Sequence, residues 1–370
     1  MATSGSGRDL VLDLGTSVLR LARIVPGKYE GPAPDGEEQV ILPALTLVDP
    51  QRHSVVAVGA QAAGIARGTL PTGVEMVPPW RDGLVAAFDP AVALVRAALH
   101  EALGGERALR RLARRPRALY TLPAPATDAD RQITQDVLQY AGIGTAVAVP
   151  ATLAAAVGAE LPIRGARPRA VCDIGAGRAE IAVLAGGRIQ IARSWPLGGD
   201  WFNQAIVRAV RRRGISITPA MAEESRREFG TLDQAAQVVE GTRVAVSAGG
   251  AFGEVPPNPH SRSGLPEFRT EDVSAGLNEA TRVLVERLAW FWEDLDPPTR
   301  AALVHDGLTL TGGAAQVPGL TEAMGRALNV PVTLAADPAG ATLRGLLELG
   351  HDRATWSLPW PWPPPWEATS

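Results

Sequence analysis

Short apolar runs that end in small-residue turns alternate along this chain with stretches whose apolar residues recur at helical spacing. Leu10-Val11-Leu12 and Val18 to Ala22 flank one such turn and predict a β-hairpin. Gly27 to Glu38, with two prolines and three glycines, reads as a loop, and Val40 to about Thr72 as a small inserted subdomain. From Asp89 to Leu103 the residues Val92, Leu94, Val95, Ala98 and Leu99 fall on one helical face, and Gly104-Gly105 ends it. Ala118 to Leu122 predicts a buried strand closed by Pro123. Thr127 then caps a helix running to Tyr140, with Asp130 at its third position. The second half repeats this grammar. Ala170–Cys172, Ile181–Leu184 and Ile189–Ala192 predict three strands, the last two joined at Gly186-Gly187. Helices are expected from about Asp200 to Arg213, from Asp272 to Trp292 and from Thr321 to Leu328, with a long surface loop between Ser247 and Phe268. Strands then helices, twice over, predict an α/β protein of two related lobes.

Composition narrows the class. A chain of 370 residues exceeds one ordinary core, which fits two lobes. Apolar residues make up 46% and charged ones 20%, a globular profile. The net charge of −3 gives no general attraction to nucleic acid. The single cysteine, Cys172, excludes an intramolecular disulfide and fits a reducing cytoplasm. Its apolar neighbours mark it as a small buried residue rather than a nucleophile. Met1 to Gly7 is small and polar, and no run approaches the roughly 20 apolar residues of a membrane span, so a soluble, unsecreted protein is expected. The five histidines show no metal-ligand spacing.

Three glycine-bearing turns carry the candidate chemistry: Asp13-Leu14-Gly15-Thr16-Ser17, Asp173-Ile174-Gly175-Ala176-Gly177 and Leu310-Thr311-Gly312-Gly313-Ala314-Ala315. Each follows an apolar strand. Glycine permits positive φ and close approach, and successive backbone N–H groups cradle anions. The acids at the ends of the first two strands suit Mg²⁺ held through water. Any one turn is equally an ordinary tight hairpin; the ordered set is more specific.

Further segments extend the pattern. They are Pro79 to Asp89, Leu153 to Pro162, Leu197-Gly198-Gly199-Asp200, Ala222-Glu223-Glu224-Ser225-Arg226 with Gly230, and Ser263-Gly264-Leu265-Pro266. With these, the chain resembles the actin and heat-shock-chaperone ATPase superfamily, and within it MreB, the bacterial actin, from about Leu10 to Gly350. The resemblance implies an actin-like two-lobed α/β fold with duplicated ribonuclease-H-like half-domains and a nucleotide cleft between them. The lobes would span 1–150 and 151–350, with insertions at about 29–72 and 196–262, and a Trp/Pro-rich tail at 351–370. It implies ATP and Mg²⁺ as cofactors, and membrane-associated filaments of this chain that act with cell-shape or wall-synthesis proteins. Asp13, Gly15, Thr16, Ser17 and Val18 would form the first phosphate loop, and Gly175, Ala176, Gly177 and Arg178 the second. Asp13 and Asp173 would hold Mg²⁺ through water, Asp173 doubling as a catalytic group. Glu223, Glu224, Ser225 and Arg226 would grip the adenosine, backed by Gly312, Gly313, Ala314 and Ala315. Glu223 and Arg226, three apart on a helix, equally suit a solvated ion pair.

The departures from the family pattern matter as much. MreB carries a glutamate before its alanine-rich helix to position the attacking water; here Val149, Pro150 and Ala151 stand there, and no carboxylate lies between Asp136 and Glu160. Arg178 replaces a threonine, and a guanidinium there can reach a phosphate without aiding attack. Ala176 replaces a glycine. Nucleotide binding with slow or lost hydrolysis is the expectation. A non-polymerising nucleotide switch docked on a filament is the alternative, and a sugar kinase of the same fold a weaker one with no assignable sugar pocket. Six arginines between Arg107 and Arg117 suit anionic lipid or a merely solvated surface. Trp356, Trp360, Trp362 and Trp366, interleaved with five prolines, suit a membrane interface, an aromatic-recognising partner, or a tail folded back on the protein.

Overall fold

The first hairpin forms as Leu10–Leu14 (β1) and Val18–Arg23 (β2) in the computed structural model, which describes residues 9–25, 39–105, 115–232, 243–246, 252–254 and 267–356. Gln39–Pro43 (β3) pairs antiparallel with β2, Arg117–Leu122 (β4) parallel with β1, and Thr145–Pro150 (β5) parallel with β4. The second sheet repeats the plan. Arg169–Ile174 (β6) pairs antiparallel with Ala179–Ala185 (β7), and β7 with Arg188–Trp195 (β8); Leu308–Thr311 (β9) runs parallel to β6, and Val332–Leu334 (β10) parallel to β9. The orders are β5-β4-β1-β2-β3 and β10-β9-β6-β7-β8, identical in sequence and sense. Even the register matches: Asp13 stands opposite Arg20, and Asp173 opposite Glu180. This is the duplicated two-lobed fold expected from the sequence.

Helices fill the connections: Gly59–Ala66 (α1), Phe88–Ala102 (α2), Asp128–Ala141 (α3), Ala151–Gly158 (α4), Gly199–Arg211 (α5), Pro219–Phe229 (α6), Thr270–Asp294 (α7), Pro297–Asp306 (α8), Leu320–Leu328 (α9) and Ala341–His351 (α10). The cap predicted at Thr127 is reciprocal: Asp130 N donates to Thr127 Oγ1 at 3.2 Å, and Thr127 N to Asp130 Oδ2 at 2.8 Å. α2 buries the predicted stripe of Val92, Leu94, Val95, Ala98 and Leu99.

Among the described residues the core falls into three main clusters and a small fourth of Leu47, Ala57 and Ala62 in the inserted subdomain, with strand alternation sending neighbouring residues to different ones. Leu10 and Leu12 of β1 join α2 in one cluster, while Val11 faces a different one. Cys172 lies fully buried in the second-lobe cluster with α5 and α7, as its neighbours implied, and burial pushes its thiol above the ordinary range. The third cluster lies between the sheets. There Val11, Leu119 and Val149 meet Val171, Ala182 and Leu184 across α4 and α10. These two helices cross at Gly158 and Gly345. A Cβ on Gly158 would overlap the Ala341 carbonyl, and one on Gly345 that of Ala154, so glycine sets the helix spacing. Arg344, buried beside the crossing, donates from Nε to Gly158 O at 2.7 Å.

Other boundaries differ from the sequence reading. β3 belongs to the main sheet, so the small excursion starts only at Thr46–Asp49, which pairs with Ser54–Val58 and Glu75–Val77 beside α1. The stretch expected as loop from Ser247 to Phe268 contains the strand Phe252–Glu254 and the start of Glu267–Arg269, both paired with Arg243–Val246. Ser263-Gly264-Leu265-Pro266 and most of the arginine run, Arg107 to Arg114, lie outside the described residues. Arg117 is engaged: it pairs with Asp9 at 2.5 Å and stacks over the Trp356 ring at 4.5 Å. Trp356 in turn donates from Nε1 to Gly350 O at 2.9 Å and packs on the central core. Of the three readings of the tail, the fold-back describes Trp356: folding satisfies its N–H and covers part of its ring. Trp360, Trp362 and Trp366 lie outside the described residues. Among the described residues no helix is long and apolar enough to cross a membrane.

Candidate functional site

The C-terminal ends of β1, β4, β6 and β9 converge on a cleft of about 640 Å³ between the lobes. Ligand sites form at such strand ends because the turns there leave backbone groups free. Asp13, Gly15, Thr16, Ser17 and Val18 line one side; Asp173, Gly175, Ala176, Gly177 and Arg178 line the other. The two turns touch. A Cβ on Gly177 would stand 2.7 Å from Thr16 Oγ1, so glycine is required there for close approach. Positive φ is not the reason: Gly15, Gly175 and Gly177 all lack it, and only Gly312 of the turn glycines has it, at 88°. Thr16 Oγ1 also accepts the Gly83 N–H at 3.2 Å, which brings the Asp82-Gly83 hairpin tip over the same end of the cleft. Gly199 N and Asp200 N donate to Gly175 O and Ala176 O at 2.9 and 2.8 Å, anchoring the second turn to the start of α5.

The duplication extends to the acids. Thr121 Oγ1 of β4 donates to Asp13 Oδ1 at 3.3 Å, and Thr311 Oγ1 of β9 donates to Asp173 Oδ1 at 2.9 Å. The partners opposite break the symmetry. Arg20 pairs with Asp13 at 3.2 Å, whereas the equivalent residue beside Asp173 is the acid Glu180. Burial raises the Asp13 pKa, with Arg20 opposing. Among the described residues Asp173 has no such cation at contact distance: burial, then Asp13 and Glu180, push it up to about 7 against the hydrogen bond from Thr311 and the more distant Arg20.

Glu223, Arg226, Gly312, Gly313 and Ala314 also line the cleft. Glu223 pairs with Arg227 at 2.6 Å, and Arg226 donates from Nε to Asn203 Oδ1 at 2.9 Å. The i,i+3 pair is therefore not a closed ion pair; both side chains reach the cleft with other partners. Burial, opposed first by Glu223, lowers the Arg226 pKa. Asp200 is raised to about 6 by burial and by Glu223 and Asp82. Three expected contacts fall elsewhere. Glu224 is exposed to solvent, Ser225 is buried with Oγ donating to Ala222 O at 3.0 Å, and Ala315 lies in the second-lobe core. One helix face cannot present four consecutive residues, so only Glu223, Arg226 and Arg227 point inward.

Arg20, Thr121, Asn203, Gln316 and Thr342 also line the cleft without having been singled out. Strand register brings Arg20 and Thr121 to the level of Asp13. Ala151 lines the floor at the first turn of α4, where the water-positioning acid was expected.

The residues fit a nucleoside polyphosphate with Mg²⁺. Two glycine turns meet, a guanidinium adjoins them, and two carboxylates offer the hard oxygens that Mg²⁺ prefers. Among the described residues no three His, Cys, Asp or Glu side chains form a metal cage. An ion held through water and phosphate oxygens suits this set; a buried all-protein site does not.

Two duplicated α/β lobes around such a cleft define an actin-like protein. Solved structures agree on the fold: MreB5 of Spiroplasma citri bound to ADP matches with a TM-score of 0.74 at 20% identity, covering 91% of this chain and 94% of that one. The MamK double helical filament matches with a TM-score of 0.70 at 16% identity, covering 93% and 99%. The model of the MreB/Mbl protein family matches residues 9–356, and the chain belongs to that family. Among curated relatives, the cell shape-determining protein MreB of Haemophilus influenzae is 28% identical over 342 residues, 91% of each chain. The cell shape-determining protein Mbl of Bacillus subtilis is 26% identical over 337 residues, 90% of this chain and 92% of the relative.

Proposed function

We propose that this chain binds ATP with Mg²⁺ in the cleft and assembles with its own copies into filaments at the inner membrane face, contributing to cell shape or wall synthesis. The observation that carries the reading is the meeting of two symmetry-related acid-and-glycine turns at one cleft, Asp13 to Val18 against Asp173 to Arg178. Relatives named for determining cell shape, and fold neighbours bound to ADP or forming a filament, support the role. Gly15, Thr16 and Ser17 would meet phosphate from one lobe and Gly175 to Gly177 from the other. Asp13 and Asp173 would hold the ion through water, and Glu223 and Arg226 would face the nucleoside. When bound, Mg²⁺ supplies charge neutralisation on the phosphates.

Turnover is proposed to be slow. The floor of the cleft presents Ala151, a methyl group, where the family's water-orienting acid would stand. Orientation and partial deprotonation of water are lost with that acid, while phosphate electrostatics remain. Calorimetry with ATP in the presence of Mg²⁺ or of chelator tests binding, and no heat in either condition overturns it. Pelleting with negative-stain imaging tests assembly. Nucleotide binding without polymer would return the chain to the non-polymerising switch.

A further inference from the structure

Arg178 and Glu180 form an unfinished ion pair beside the cleft. The Arg178 side chain is only 18% exposed and Glu180 is 1% exposed, yet Nη1 and Oε2 stand 3.8 Å apart, too far for a hydrogen bond. Among the described residues Arg178 Nε and Nη1 have no hydrogen-bond partner, nor does Glu180 Oε2. Glu180 spends its other oxygen on the lobe junction: Oε1 accepts the Ala124 N–H at 3.0 Å. Buried guanidinium N–H groups left open, as at Nε and Nη1 here, are costly unless a ligand completes them.

The guanidinium is well placed for one. Arg178 directly follows Gly177, whose backbone packs on Thr16 of the opposite turn, and it lines the cleft there. Its Cδ and Nη1 also pack on Gly83, at 3.5 and 3.4 Å from where a Cβ would stand. The group is thus wedged between the two turns and the Asp82-Gly83 tip. Planar donors of this kind match phosphate oxygens two at a time.

We propose that Arg178 reads the terminal phosphate of the bound nucleotide, with Glu180 as its resting partner. A triphosphate draws the guanidinium off Glu180, and a diphosphate leaves the pair in place. This rests on the reading of the cleft as a nucleotide site. It assigns Arg178 to triphosphate-over-diphosphate discrimination, and Glu180 to positioning Arg178.

The test is the ratio of affinities for a non-hydrolysable ATP analogue and for ADP, both with Mg²⁺, in the full chain. The unaltered protein should favour the triphosphate by roughly tenfold or more, the span of one charge-assisted hydrogen bond. Arg178→Ala should collapse the ratio to about one, and Arg178→Lys should keep part of it. Glu180→Gln removes the resting charge and should raise the ratio, which a merely structural residue would not do. Melting without nucleotide identifies any variant that fails to fold, and Arg178→Lys then carries the test. An Arg178→Ala protein that binds both nucleotides with the original ratio overturns the proposal. Binding of neither nucleotide by the unaltered protein overturns the underlying site instead.

Discussion

Asp173→Asn should stabilise the nucleotide-free protein at pH 8 and do so by less than half as much at pH 5. The side chain is hemmed in by burial, Asp13 and Glu180, which push its pKa from an ordinary 3.8 to about 7. A carboxyl group raised in the folded state holds its proton there after the unfolded chain has released it. Its contribution to stability is therefore fully present below about pH 4 and is lost as pH rises to about 7. At about 1.36 kcal/mol per pH unit, that interval corresponds to at most about 4 kcal/mol, less whatever cleft water screens. Asparagine keeps an oxygen for the Thr311 hydroxyl and never ionises. The difference between variant and parent should accordingly grow from about 1.6 kcal/mol at pH 5 towards about 4 kcal/mol at pH 8, before screening by cleft water. Urea unfolding in chelator at four pH values measures it, since Asp200 and other shifted groups titrate in both proteins and largely cancel. A difference that stays flat with pH would refute the argument, because it would mean that Asp173 is already ionised at little cost. Mg²⁺ with ATP should reverse the order at pH 8 by rescuing only the parent.

Three other outcomes are expected. Ala151→Glu should raise phosphate release severalfold, measured by a coupled phosphate assay, provided Pro150 aims the new side chain inward; brisk release by the unaltered protein would show that another group orients the water. Gly158→Val should cost at least about 2 kcal/mol in urea unfolding, because its side chain enters the backbone of α10 at the helix crossing. A chain ending at Trp356 keeps the packed indole and removes the rest of the Trp/Pro tail, so it should lose co-sedimentation with anionic liposomes; equal binding by both chains would move the anchor elsewhere.

The sequence displayed the fold best where elements have one wet face. The stripe of α2 and the capped start of α3 stood out because polar residues flank the apolar ones. α10 went unseen because it has no such face: sandwiched between the two sheets, it buries Thr342, Leu343, Arg344, Gly345, Leu346 and Leu347 in succession. β3 was absorbed into the excursion because its exposed Ile41 and buried Val40 and Leu42 look the same in either sheet. At the site, the glycine turns were legible as local motifs. Asp13, Arg20 and Thr121 form a cluster only through strand register, and no local spacing in the sequence announces that register. Glu224, Ser225 and Ala315 were over-read because a contiguous motif was taken whole, although a helix and a short 3₁₀ turn present only part of it to a ligand.

The breaks in symmetry between the lobes bear on what the site is tuned for. A nucleotide has unlike ends, so two identical hairpins cannot both suit it. Here the first lobe neutralises its acid internally through Arg20, while the second leaves Asp173 beside a second acid and sets Arg178 at the edge of the turn. Neither arrangement supplies a base on the far side of the terminal phosphate. By the family resemblance that base would come from the first turn of α4, and Ala151 faces the cleft there while Thr152 is fully buried. On the proposed nucleotide reading, a site built in this way would favour holding a triphosphate over cutting it. In a filament of such subunits, nucleotide exchange rather than hydrolysis would set the lifetime of the bound state. Filaments formed with ATP and with its non-hydrolysable analogue should then disassemble at the same rate upon dilution, and faster loss of the ATP filaments would show that cleavage still acts as the clock.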